Sequence, residues 1–158
     1  MKGNNILAEA ERDKLYLRIA DENDMDLLFQ WANDPDVRKN SFHPEPISYE
    51  THKRWFAEHL KDVSEIQYIL MEGTDPAGQI RFSVRGEETE IGYSIDSEKR
   101  GRGYGEKMIL LAIEKMQADR PEVKRFTAKV KPDNQASVRC FHKNGFRETS
   151  RQFELQKR

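Results

Sequence analysis

Cysteine is almost missing from this chain. Cys140 stands alone among 158 residues, so no intramolecular disulfide can form, and a reducing, cytoplasmic setting is expected. No Cys/His spacing of the zinc type occurs, so no metal is expected. No apolar run approaches the roughly 20 residues that a membrane-spanning helix needs, and no membrane partner is expected. Neither sign of charge is in surplus. Lys and Arg total 27 against 28 Asp and Glu, a net charge of -1. A sequence-independent nucleic-acid binder draws its affinity from neutralising phosphates, so this balance argues against such a partner. Repeats and low-complexity segments are absent too. The polar residues 1–13 read as a flexible tail and 14–158 as a single domain, a length that can bury a core without staples.

What is present is periodicity. Leu15, Leu17 and Ile19 alternate with Tyr16 and Arg18, which predicts a strand over 15–20. Asp21 to Asp24 supply cap chemistry for a helix with Met25, Leu28, Phe29 and Ala32 on one face, ended by Asn33-Asp34-Pro35. The stretch 36–47 reads as a loop. Ser48 caps a second helix bearing His52, Trp55, Phe56, His59, Leu60 and Val63 at helical spacing. Strand patterns follow at 67–72, 78–85 and 89–95, separated by the turn residues of 73–76 and 85–88. A third helix carries Tyr104, Met108, Ile109, Leu111, Ala112, Ile113 and Met116. A strand is expected at 123–130, a fourth helix at about 134–143 closed by Gly145, and one or two strands over 146–156. The order predicts an α/β domain with a mixed sheet.

The chemistry concentrates in Arg100-Gly101-Arg102-Gly103-Tyr104-Gly105, set between a strand and an amphipathic helix. Glycines let consecutive backbone N–H groups turn toward one point, and the helix N-terminus adds its positive dipole end. Arg100 and Arg102 add charge, so the segment suits a pyrophosphate. The string is not a Walker loop, which requires Gly-x-x-x-x-Gly-Lys-Ser/Thr. Nor is it a dinucleotide fingerprint, which follows the first strand of a βαβ unit with different glycine spacing. A plain glycine-rich turn is the alternative.

Context favours the first reading. Residues 90–95 followed by 100–105 closely resemble motif A of the GNAT superfamily of N-acetyltransferases, with Arg100, Gly103 and Gly105 at the Arg/Gln-x-x-Gly-x-Gly/Ala positions. Residues 134–146, with Asn134, Ser137, Phe141, Lys143, Gly145 and Phe146, resemble motif B. The resemblance spans roughly 15–156. It implies a mixed, mostly antiparallel sheet of six to seven strands flanked by four helices and split between the fourth and fifth strands. It implies acetyl-CoA as cofactor, its pantetheine in the split beside Ile95 and its pyrophosphate on 101–105, with Asn134, Ser137, Phe141 and Lys143 contributing from the fourth helix. Many members place a tyrosine in motif B to protonate the departing thiolate. Phe141 occupies that position here, and water is left to do it.

The reaction such a fold implies is direct attack of a neutral amine on a thioester, which calls for a base. Glu90, on the strand flanking the split, is the candidate; a solvated strand carboxylate is the alternative. Residues 31–42 with His52 and Trp55 resemble the subgroup that acetylates nucleotide-linked amino sugars, as in pseudaminic acid assembly, and less closely the ribosomal-protein N-terminal acetyltransferases. Arg38 is expected to pair with a phosphate, and Phe42 or Trp55 to stack on a base or sugar. His52 and Tyr93 complete the expected acceptor residues. Trp31, Trp55 and His52 can equally be core residues. The expected acceptor is a small amine, preferably nucleotide-linked. A peptide N-terminus and a non-catalytic acyl-CoA module are the alternatives, and a homodimer is compatible with all three.

Overall fold

The computed structural model describes residues 15–157; the expected tail at 1–13 lies outside them. Five strands form one sheet in chain order: β1 Leu15–Ile19, β2 Glu65–Glu72, β3 Asp75–Arg85, β4 Glu88–Ile95 and β5 Arg125–Thr127. The first four pair antiparallel, and β5 joins β4 in parallel. Gly73 and Gly86 turn the two hairpins at φ values of 60° and 63°, a region that side chains with a Cβ rarely adopt. The helices are α1 Met25–Ala32, α2 Pro35–Asn40, α3 Tyr49–Lys61, α4 Tyr104–Asp119 and α5 Gln135–Lys143.

The period of two along the strands sends their side chains into two separate cores. Tyr68, Leu70, Ile80, Phe82, Val84 and Ile91 meet Met108, Ile109, Ala112 and Met116 of α4 and Phe141 of α5 on one face. Ile69 and Met71 meet Leu28 and Trp31 of α1 and Phe56 of α3 on the other. Full burial of one large apolar side chain contributes about 1.5–3 kcal/mol, so these rows hold the helices to the sheet. Ser48 caps α3 through the Thr51 amide, and Asp21 and Asp24 form a capping box before α1.

Three expectations are corrected. Residues 36–47 are not all loop, because Pro35 begins a helix instead of ending one. The Asp34 side chain accepts from the amides of Asp36 and Val37, and proline at a first helical position loses no hydrogen bond. The strand expected at 123–130 is only Arg125–Thr127, because β5 departs from β4 and no ladder forms beyond it. No strand forms over 146–156. Phe153 and Leu155 are almost fully exposed there, so the alternation has nothing to bury its apolar side against. The sheet therefore has five strands, not six or seven.

The departure of β5 is what matters for function. Pairing with β4 stops at Glu90↔Thr127. Residues 91–95 keep β3 as their ladder partner, and their outer edge opens as a split. Among the described residues no helix is long and apolar enough to cross a membrane.

Candidate functional site

The turn after β4 leads straight to the mouth of this split. Gly101 and Gly103 have φ values of 77° and 78°, and a Cβ at either would meet nothing within 4 Å. Gly103 stands at the N-cap of α4 and supplies no side-chain cap, so the amides of the first turn point outward without a protein partner from that residue. The arrangement fits a pyrophosphate on 101–105, beside an unpaired strand edge suited to an amide-bearing pantetheine arm. Gly105 serves packing. A Cβ there would lie 3.3 Å from Cys140 Sγ and 3.4 Å from the Tyr93 ring, so its absence lets α4 approach α5 and β4.

The side chains around the turn fix it in place. Arg100 donates to Asp34 Oδ1 at 3.1 Å, to Asp36 Oδ2 at 3.0 Å and to the Ile95 carbonyl at 3.1 Å. Its guanidinium thus ties the turn to the start of α2. Tyr104 donates its hydroxyl to Glu72, which also receives Lys99 at 2.8 Å. Arg102 remains exposed, with a long contact of 3.5 Å to the Glu98 carbonyl.

On α5, Asn134 Oδ1 accepts from the Ser137 amide at 3.3 Å, and Lys143 pairs with Glu106 at 3.5 Å. Phe141 is buried between Tyr93 and Phe146, with ring centroids 5.7 and 5.0 Å away. The Tyr93 and Ser137 hydroxyls share a hydrogen bond of 2.7 Å. Burial holds the Tyr93 phenol well above its ordinary pKa, so it stays neutral. Tyr93 belongs to the α4–α5 face, which separates it from the other residues expected at the acceptor.

The opposite face of β4 carries Glu90, Gly92 and Ser94, and it is strongly polar. Gln67 donates to Gln79 at 2.9 Å, and Gln79 donates to Ser94 at 3.1 Å, a chain running across three strands. Arg81 stands beside it, opposite Gly92, on the middle strand of the sheet. A central-strand side chain is ordinarily buried, yet Arg81 is exposed. The surrounding protein nevertheless lowers its pKa by desolvation, against the opposing pull of Glu65 and Glu90 and with the help of Arg38. Arg81 thus lies on the polar, water-reachable face of the sheet that α3 borders. Sequence reasoning missed Arg81; the available signal was an arginine in a β3 pattern otherwise rich in apolar residues.

The border of this face is α3. Trp55, 40% exposed, lies 5.5 Å from the Arg81 guanidinium and stacks on His59 at 4.7 Å. His52 is buried among Phe29, Trp55 and Phe56, so it packs and does not line that face. Desolvation lowers the pKa of both His52 and His59, and the positive Arg81 lowers them further. Trp31, buried on α1, donates to Asp96 at 2.8 Å.

The expected phosphate ligand, Arg38, is engaged internally. Its guanidinium donates to the carbonyls of Ala32 at 2.6 Å, His43 at 2.9 Å and Glu45 at 3.3 Å. Together with Asn33, which exchanges two 2.8 Å hydrogen bonds with the Ile47 backbone, it pins the loop at 41–47. Exposed Phe42 sits on that loop with the Lys131 ammonium 6.0 Å from its ring centroid. Lys131 also donates to the Lys39 carbonyl at 3.1 Å, joining the chain beyond β5 to α2. Glu90 is half exposed at the last rung of the β4–β5 ladder, with Lys129 at 3.8 Å.

Comparison with known proteins agrees with this geometry. A family model described as an acetyltransferase (GNAT) domain matches residues 14–147. Aminoglycoside N(6')-acetyltransferase type 1 of Klebsiella pneumoniae is 26% identical over 150 residues, covering 85% of this chain and 74% of that protein. Spermidine N-acetyltransferase from Vibrio cholerae, in complex with CoA and spermine, superposes with a TM-score of 0.79 at 18% identity, over 91% of this chain and 89% of that one. RimL, a ribosomal L7/L12 alpha-N-protein acetyltransferase solved with coenzyme A, has a TM-score of 0.71 at 24% identity, over 82% and 78% respectively.

Proposed function

The chain belongs to the GNAT acetyltransferase family and uses acetyl-CoA, and from that premise we propose that its acceptor is a small amine, an amino sugar carried on a nucleotide. The observation that supports a small acceptor is the fastening of the segment that follows α1. Loop 41–47 is pinned by Arg38 and Asn33, and Lys131 fastens α2 to the chain beyond β5. An extended peptide needs an open groove for its backbone. A pinned loop, an exposed Trp55 and basic groups suit a compact sugar and an aromatic base. The lone cysteine suits a reducing, cytoplasmic setting, which belongs to the same reading.

When bound, acetyl-CoA supplies the thioester. The chain's own residues hold the amine against it and manage the protons. The amine nitrogen forms a bond to the acyl carbon as the carbon–sulfur bond breaks. Glu90, directly or through one water, takes the proton that nitrogen sheds. Water protonates the thiolate, because Phe141 has no hydroxyl and the Tyr93 hydroxyl is held by Ser137 on the other face. A sugar amine is less basic than a lysine, since neighbouring oxygens withdraw charge, so more of it is already neutral near pH 7. Remote binding energy from the nucleotide then orients it.

The test is a steady-state comparison of a nucleotide-linked amino sugar with the free amino sugar and with N-terminal peptides. A higher kcat/KM on the conjugate is expected. Equal rates on conjugate and free sugar, or activity confined to peptides, would overturn the reading.

A further inference from the structure

The Arg81 guanidinium carries five N–H donors in a fixed fork. Among the described residues no hydrogen-bond acceptor or carboxylate lies within bonding distance of it. The neighbouring charges are all taken. Glu65 accepts from Ser83 at 2.6 Å and from Arg85 at 3.4 Å, Glu90 faces Lys129, and Arg38 holds loop carbonyls. The guanidinium feels the pull of Glu65 and Glu90 without a bonded partner among the described residues. Trp55 covers one side at 5.5 Å, and Gly92 leaves room on the other, where a Cβ would sit 3.3 Å from Nε and Nη2. An exposed arginine set beside a ring and a glycine, with donors free of protein partners among the described residues, is prepared for a planar or tetrahedral anion.

Its place matters as much as its chemistry. Arg81 pairs across the sheet with Gly92, just past the rung where β5 leaves β4. The anion it takes must therefore lie close to the thioester, within the span of one sugar ring from the reacting amine. A base, or a charge at the far end of a long acceptor, does not meet that condition.

We propose that Arg81 is the anchor for a phosphate borne directly on the acceptor sugar, and that it sets the enzyme's preference for phosphorylated amino sugars over polycationic amines. The inference rests on the reading of the acceptor as an amino sugar and names the part of the conjugate that is recognised. Aminoglycosides and spermidine, the substrates in the names of two relatives, are polycations at neutral pH, and a guanidinium without a bonded partner repels them.

The experiment compares five acceptors: an amino sugar, its 1-phosphate, its uridine diphosphate conjugate, spermidine and kanamycin. With the native enzyme the 1-phosphate should exceed the free sugar by about thirtyfold or more in kcat/KM, the scale of a charge-assisted bidentate contact. Arg81→Met keeps the apolar stem. It should raise KM for both phosphorylated acceptors until that advantage is gone, and leave the free sugar within about threefold. Arg81→Lys should fall between them, because it keeps the charge and loses the fork. As a readout apart from turnover, uridine diphosphate is titrated by calorimetry into protein saturated with CoA, so that the pyrophosphate cradle is already filled. Binding should be seen in the native protein and lost in Arg81→Met. Should either variant fail to melt like the native protein, the native acceptor series and titration still decide. Equal activity on sugar and sugar phosphate, better activity on spermidine or kanamycin, or an equal loss on every acceptor in Arg81→Met would overturn the proposal. Conjugate turnover that is indifferent to Arg81 sinks this inference and leaves the acceptor reading standing. Arg81-dependent diphosphate binding without turnover of any amino sugar sinks the acceptor reading and leaves the anion site standing.

Discussion

The two faces of β4 do different kinds of work with different parts of the chain. Toward α4 and α5, Ile91 and Tyr93 sit in an apolar core, and the surface beside them proposed for the cofactor is backbone: an unpaired strand edge and the amides of a glycine turn. Toward α3, Glu90, Gly92 and Ser94 meet Arg81, Gln79 and Trp55, and the surface is side chain throughout. A backbone surface can serve one unvarying ligand, because it depends on chain geometry alone. A side-chain surface can be rewritten residue by residue without disturbing the sheet, so one fold can serve different acceptors.

The sharpest way to break this division is at Glu90, which stands where the two surfaces meet. Glu90→Gln should lower kcat roughly a hundredfold, the usual scale for a lost general base, and leave acetyl-CoA affinity almost unmoved. The basic surface should then show in the pH profile, whose base-reporting limb flattens. Near-normal kcat at neutral pH would reduce Glu90 to an exposed strand carboxylate. On the backbone side, Gly103→Val should weaken acetyl-CoA well over tenfold, on the order of 2 kcal/mol. The cause is twofold, since φ at 78° strains any residue with a branched Cβ and the side chain would intrude on the amides. Calorimetry on the folded variant measures it, and unchanged affinity would remove the cradle.

The smallest effect concerns the packing beside the proposed acceptor site. His52 and His59 have lowered pKa values in the fold because they are buried, with Arg81 adding to the shift. The unfolded chain takes up protons at about pH 6.5, where the folded histidines still refuse them. Their contribution to stability is therefore complete above that pH and falls as the pH drops toward the folded values. Asp24 and Asp34, whose pKa values are lowered despite desolvation by their arginine partners and backbone amides, act only in the carboxylate range below. Denaturant midpoints should decline from pH 7 to pH 5, and a double His52→Gln, His59→Gln variant should decline less. An identical slope in both proteins would show that the pair is not the source.

This division also explains what could be read beforehand. The glycine turn, the α4 pattern and the position of the split were legible, because φ-permissive residues and helical periodicity are local signals. Glu90 could be located on its strand for the same reason. The carbonyl partners of Arg38 were not legible, because they belong to backbone around it, most of it a loop that folds back, and no pattern announces a carbonyl. Arg81 was overlooked because its setting depends on tertiary neighbours, Trp55 of α3 and Gly92 across the hairpin, which no local pattern announces. The alternation over 146–156 did not become a strand, because a ladder needs a partner and β5 ends before offering one.

Arg100 binds the turn proposed to receive the cofactor to Asp34 and Asp36 at the beginning of α2, and Arg38 of α2 holds the loop that follows, beside the proposed acceptor site. Both sites therefore share a wall that is set when the chain folds and does not wait for a ligand. Much of the entropy of shaping the second site is lost once, at folding, and is not lost again in each catalytic cycle.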